Sequence, residues 1–177
     1  MTISCPYISY GCQEKVNYMQ KEIHEKSCIH APCVCPILDC AFCGSSKQLS
    51  IHFAGQHQFH RIYNGISSVI MMGVDDPFLV LHADDNHPLF ILNNLRGPMG
   101  NAVWVTCVRP NCFGVAFRYN IKTKGGGCSL EFWSFTASVR ERAELTSPLD
   151  TFLLIPHSFS AGEEKLNLNV SILDSGF

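Results

Sequence analysis

Four sulfur and nitrogen donors stand close together near the start of the chain: Cys5, Cys12, His24 and Cys28. Their pattern is C-x6-C-x11-H-x3-C. Thiolates and neutral imidazoles are the donors zinc prefers, four to an ion in a tetrahedron. His24 and Cys28 are four residues apart, so a helix would present both on one face. The spacing predicts a helix over Tyr18 to Cys28, facing a short hairpin that carries Cys5 and Cys12 with "YISYG" as its turn region.

A second set follows: Cys33, Cys40, His52 and His57, in the pattern C-x6-C-x11-H-x4-H. It repeats the gaps of six and eleven. The matching helix is expected over Gln48 to His57, with Leu49 and Phe53 as its apolar face. Cys35 and Cys43 adjoin the chosen ligands, and a Cys35/Cys43 or mixed pairing stays open. The repeated gaps favour Cys33 and Cys40. His30 and His60 read as bystanders. Both sites would be closed, with four protein donors and no position for a reactive water, which points to structural zinc and away from hydrolysis. DNA-reading fingers place two to four residues between their cysteines, not six. Residues 1–60 balance Lys15, Lys21, Lys26 and Lys47 against Glu14, Glu22, Glu25 and Asp39, a poor endowment for holding phosphates.

These donors sit in a chain of two materials. Seven of the ten cysteines lie between residues 5 and 43, and His24, His30, His52 and His57 lie there or just beyond. The early part is too small and apolar-poor to fold on a core alone, which is where structural metals serve. In all, 177 residues with 46% apolar content are enough for one ordinary domain plus something small. A net charge of −2 offers no general attraction for nucleic acid or an anionic membrane. No run approaches the ~18–20 apolar residues of a membrane helix, and no signal-peptide core follows the first residue. The expected compartment is cytosol or nucleus, where cysteines are reduced or metal-bound.

From Ile66 onward the text turns to short β-branched and aromatic runs, among them "FLVLHA", "NAVWVTCV" and "LNLNVSIL". Leu166, Leu168, Val170 and Ile172 alternate with Asn167, Asn169 and Ser171, the period of a half-buried strand. Asp75-Asp76-Pro77, Asn86-His87-Pro88, Arg96-Gly97-Pro98 and Gly125-Gly126-Gly127 punctuate the runs. Eight short strands of this kind predict an antiparallel sandwich. "SVRERAEL" (138–145) reads as a short helix or as a strand end plus loop. "KTKGGGCS" lacks P-loop spacing and reads as a hairpin turn. Cys112 falls in a turn as a free thiol with no histidine assigned to it; Cys107 and Cys128 read as small core residues, and Trp104 and Trp133 as core or interface anchors. No catalytic residue is assigned.

Two fingers of this spacing followed by an eight-strand sandwich resemble the C-terminal portion of the SINA/SIAH (seven-in-absentia) E3 ubiquitin ligases. "CPILDCAFCGSSKQLSIHFAGQH" is similar to the plant SINA-like branch in particular. The resemblance implies SIAH-type fingers at 1–30 and 31–60, each holding one structural zinc, and a TRAF-like sandwich at 61–177 that binds substrates and dimerises with itself or with relatives. It implies an extended substrate peptide added along a sandwich edge, with the groove expected near Arg61, Tyr63, Phe78 and Val80. It also implies a RING domain upstream that recruits the ubiquitin-charged E2. Only four residues precede Cys5, so the expectation is that this polypeptide transfers no ubiquitin alone and meets an E2 only through a RING-bearing partner. A non-enzymatic adaptor or competitor is the alternative. Neither nucleic acid nor membrane is expected as a partner.

Overall fold

The computed structural model describes residues 1–84, 87–110, 116–141, 151–160, 162 and 164–174. Cys112, the turn residue Asn86 and residues 142–145 of "SVRERAEL" lie outside them.

The chain opens on a small hairpin of β1 (Thr2–Ser4) and β2 (Lys15–Asn17), with a 3-10 turn over Pro6–Tyr10 between them. Gly11 ends that turn at φ 107°, a left-handed value open to glycine at little steric cost. The predicted first helix is split: a 3-10 turn at Tyr18–Gln20 leads into α1 (Lys21–Ser27). A second hairpin, β3 (Cys33–Val34) with β4 (Cys43–Gly44), precedes α2 (Ser46–Gln56). The start of α2 is set by a reciprocal cap. Ser45 accepts from the Gln48 amide, and the Gln48 side chain accepts from the Ser45 amide.

The larger part is mainly β, in two sheets. One has four antiparallel strands in the order β11 (Cys128–Phe135), β10 (Arg118–Gly125), β14 (Lys165–Leu173), β6 (Ser68–Gly73). The other has six. Its main path runs β12 (Ala137–Val139), β9 (Gly100–Val108), β8 (Leu89–Arg96), β7 (Phe78–His82), β5 (His60–Arg61), and β13 (Leu153–Pro156) pairs with β9. One buried cluster joins the sheets: Ile70, Leu168 and Val170 from the first meet Leu81, Phe90, Leu92, Val103 and Cys107 from the second. This is the expected sandwich, with two departures. The strands are more numerous and shorter at the edges, and two pairings are parallel: β5 with β7 and β12 with β9. β5 leaves α2 almost directly and reaches the sheet edge already running in the direction of β7.

"KTKGGGCS" is a hairpin turn. Gly125 pairs with Cys128 across Gly126 and Gly127, whose φ values of 57° and 76° are those a two-residue turn requires. Cys107 is core as expected. Cys128 is exposed at the hairpin end, because the strand pairing starts there and no opposing layer reaches it.

The second finger is fastened to the sandwich. Leu49 and Phe53 of α2, with Cys33, form a buried cluster with Val80, Leu89, Ile91, Val108 and Val139 on the outer face of the six-stranded sheet. Polar bonds border it. The Val34 amide donates to the Arg140 carbonyl at 2.9 Å, and the Ser46 hydroxyl donates to the Val108 carbonyl at 3.2 Å. Buried Ser50 Oγ lies 2.9 Å from His82 Nε2. No helix among the described residues is long and apolar enough to cross a membrane.

Candidate metal centres and groove

The first donor set closes as predicted. The Sγ atoms of Cys5, Cys12 and Cys28 and a ring nitrogen of His24 all lie within 4.8 Å of one another. Cys5 directly follows β1 and Cys12 directly follows the turn, so the hairpin holds both thiols; His24 and Cys28 come from one face of α1 and its end. Cys12 Sγ is 3.5 Å from His24 Nε2. Zinc bonds of ~2.0–2.3 Å at tetrahedral angles place neighbouring donors ~3.3–3.8 Å apart, so the cluster has the right size. The other ring nitrogen of His24, Nδ1, lies 3.3 Å from Glu14 Oε2. A proton held on Nδ1 toward that carboxylate leaves the Nε2 lone pair facing the thiols.

The second set closes differently. Cys35, Cys40, His52 and His57 gather within 4.8 Å, and Cys33 is not among them. Cys40 Sγ is 3.3 Å from His52 Nε2, Cys35 Sγ is 3.5 Å from His57 Nε2, and the two Nε2 atoms are 3.2 Å apart. The expectation of Cys33 is therefore corrected to Cys35. The reason is positional. In the first finger the cysteine follows the last residue of its strand, and its amide donates to Glu14 across the hairpin. Cys35 does the same after Val34, with its amide donating to Phe42. Cys33 sits two residues earlier, paired with Gly44, and is fully buried among the finger–sheet contacts. The gap of six was a coincidence; the gap of eleven was the repeat. Cys43 is exposed and lies outside the cluster, as do His30 and His60.

The chemistry of both donor sets fits zinc. Burial, reinforced by the neighbouring thiols, pushes Cys28 up to about 12 and Cys35 up to about 11. Burial also raises Cys5. Packed thiols of this kind resist ionising together unless a cation sits among them. Burial and the adjacent His57 hold His52 below the usual imidazole range, in the neutral form that ligates metal. Phe42 stacks on the His52 ring at 4.0 Å and fixes its orientation. The two Cys/His clusters are consistent with two zinc ions.

A direct check separates the two cysteines. Cys35→Ala is expected to bind one zinc per chain, and Cys33→Ala two, with the latter destabilised by ~1–2 kcal/mol through its small cavity. Metal analysis reporting one zinc for Cys33→Ala and two for Cys35→Ala would reverse the assignment.

The four groove candidates are scattered. Arg61 and Tyr63 are exposed at and just after β5, and Phe78 packs beside the finger–sheet cluster. Val80, only 5% exposed, is shared between that cluster and the wall of a cavity of about 500 Å³. This cavity is lined by His57, Gln58, Phe59, His60, Leu79 and Val80. A larger one, about 960 Å³, adjoins it through His60 and Leu79 and extends past Met71, Asp75, Asp76 and Arg96. His60 and Leu79, which join the two, had no signal in the sequence, since one reads as a stray histidine and the other as an ordinary strand residue.

Comparison with known proteins agrees with this architecture. The Sina zinc finger family model matches residues 1–68. "Putative E3 ubiquitin-protein ligase SINA-like 6" of Arabidopsis thaliana is 30% identical over 166 residues, covering 90% of this chain and 59% of the relative. The Arabidopsis "E3 ubiquitin-protein ligase SINA-like 2" is 28% identical over 96% of this chain and 56% of its own length. The Arabidopsis "E3 ubiquitin-protein ligase SINA-like 1" is 31% identical over 82% of this chain and 41% of its own length. The chain thus spans roughly half the length of these curated relatives. The similarity runs through both fingers and into the sandwich: the chain belongs to the SINA-like E3 ubiquitin ligase family.

Proposed function

We propose that this chain is the substrate-recognition and dimerisation portion of a SINA-type E3 ubiquitin ligase, acting in protein ubiquitination and degradation. In this reading, Cys5, Cys12, His24 and Cys28 hold one structural zinc and Cys35, Cys40, His52 and His57 the other. The units are a first finger at 1–30, a second at 31–60 and a sandwich at 61–177. The zinc ions shape the fingers and take no part in transfer chemistry, because each donor set is complete without substrate or water.

The observation that carries the reading is the sheet edge at β7. β5 pairs with β7 only at Leu81 and His82, and Leu79 and Val80 continue the strand beyond it. The two adjoining cavities open along that stretch. A strand edge next to side-chain pockets is the arrangement by which an extended peptide adds to a sheet, backbone bonds giving affinity and pockets giving selectivity. The substrate would be a protein segment in extended conformation, and E2 contact would come through a RING.

The test uses extended peptides selected by this chain from a random display library. His60→Glu with Leu79→Ala is expected to weaken their binding at least about tenfold with two zinc ions retained. A protein fused to such a peptide should gain ubiquitin when this chain and a RING-bearing relative are combined with E1 and E2. Selected peptides that bind the double variant unchanged would sink the groove. A bound fusion left unmodified in the combined reaction would favour the adaptor or competitor reading instead.

A further inference from the structure

The outer face of the four-stranded sheet is unlike the rest of the molecule. Tyr119, Ile121, Leu166 and Leu168 point into the core, so strand alternation turns Arg118, Lys122, Lys124 and Lys165 outward. Among the described strand residues of that face, Glu131 is the one acid, paired to Lys122 at 3.0 Å. Four cations against one carboxylate stand on one face of a chain whose net charge is −2. The same face carries two exposed aromatic rings on β11, Trp133 at 44% and Phe135 at 58%. The Arg118 guanidinium lies 4.5 Å from the centre of the Trp133 ring. Lys122, Lys124, Asn167, Asn169 and Val69 line a shallow depression of about 280 Å³ beside it.

We propose that this face binds single-stranded nucleic acid. Charge complementarity calls for a polyanion, and the remaining groups choose among polyanions. An acidic peptide docking as a strand would use a sheet edge, whereas these cations lie across the face. Lys122 and Lys124 project ~7 Å apart along β10 and can hold neighbouring phosphates. The Trp133 ring with the Arg118 plane supplies a platform for a base, and the amides of Asn167 and Asn169 can donate to and accept from base edges. Flat sheets combining aromatic platforms with a basic track bind single strands in this way, largely without regard to sequence. A duplex hides its base faces and leaves Trp133 without a role. Lys165, at one end of this face, also borders the larger cavity at the β7 edge, whereas Arg118, Lys122, Lys124 and Trp133 do not, so variants of those four residues test the proposal separately from peptide recognition.

The test is fluorescence anisotropy of a labelled oligouridylate of about twelve nucleotides with the zinc-loaded chain. Saturable binding is expected, weakening about 20-fold when salt is raised about fourfold, the slope for roughly three phosphate contacts on a single strand. Trp133→Ala should weaken binding about tenfold, and Lys122→Glu with Lys124→Glu should abolish it. Lys21→Glu with Lys26→Glu, on α1, makes the same change in net charge away from this face and should leave the affinity unchanged at matched salt. All three variants should keep two zinc ions and a cooperative melting transition well above the assay temperature; losing the Lys122–Glu131 and Lys21–Glu25 pairs lowers that transition slightly in the two charge-reversal variants. No saturable binding would overturn the proposal. So would equal loss in the α1 variant, an unchanged Trp133→Ala, or a duplex or polyglutamate competing as well as the single strand.

Discussion

His52→Ala is expected to release one of the two zinc ions and to lower the melting temperature of the sandwich itself by more than about 10 °C. His24→Ala is expected to release the other ion and to shift the sandwich transition by no more than about 2 °C. The difference comes from what each finger touches. The first finger's buried cluster is Cys5, Cys12, Cys28 and Ala31 with Tyr7 beside it, and contains no sandwich residue. The second finger's cluster includes Val80, Leu89, Ile91, Val108 and Val139 from the sheet. Structural zinc supplies much of the folding free energy of units this small. Losing it at the second site loosens α2 and exposes the apolar outer face of the six-stranded sheet. Calorimetry with metal analysis on both variants decides the point. Equal shifts from His24→Ala and His52→Ala would show that the second finger is no more part of the sandwich than the first.

Phe53→Ala should destabilise the protein by ~3–5 kcal/mol, which for a chain of this size is a fall of ~6–20 °C, while both zinc ions stay bound. Phe53 is fully buried, on the face of α2 directed at the sheet, and its ring is 4.8 Å from that of His57. Removing it leaves a cavity between two rigid layers, the zinc-clamped helix on one side and the sheet on the other. Neither layer can collapse fully to fill it, which sets the cost near the upper part of the range. The ligand atoms are untouched, so the variant separates packing from metal binding. A wild-type melting temperature in Phe53→Ala would mean that α2 does not cover the sheet, and the account of His52→Ala would fall with it.

Much of this fold can be read from residue order. The alternation at Leu166 to Ile172 became β14 with its apolar residues in the core, because a strand with one wet face admits only that register. The three-glycine run became a hairpin turn because two consecutive positive φ values suit little else. The first donor set was legible because i, i+4 spacing on a helix and two hairpin thiols can close only one way. Other features depend on contacts that spacing does not encode. The split of the first helix follows from Asn17 capping a 3-10 turn at Met19, and α3 (His157–Ser160) had no pattern of its own.

The sequence by itself determined the donor types, the gap of eleven between hairpin and helix ligands, and a two-layer β core, because these follow from local periodicity and ligand chemistry. Only the tertiary structure decided between Cys33 and Cys35. Both are cysteines at plausible spacing, and the choice rests on where β3 ends and which thiol the sheet buries. It also decided what the charges mean. A net −2 averages over the chain, whereas strand pairing collects Arg118, Lys122, Lys124 and Lys165 on one face and joins His60 to Leu79 at one edge. Those neighbours are far apart in the chain and are brought together by sheet registration, which composition and spacing do not contain.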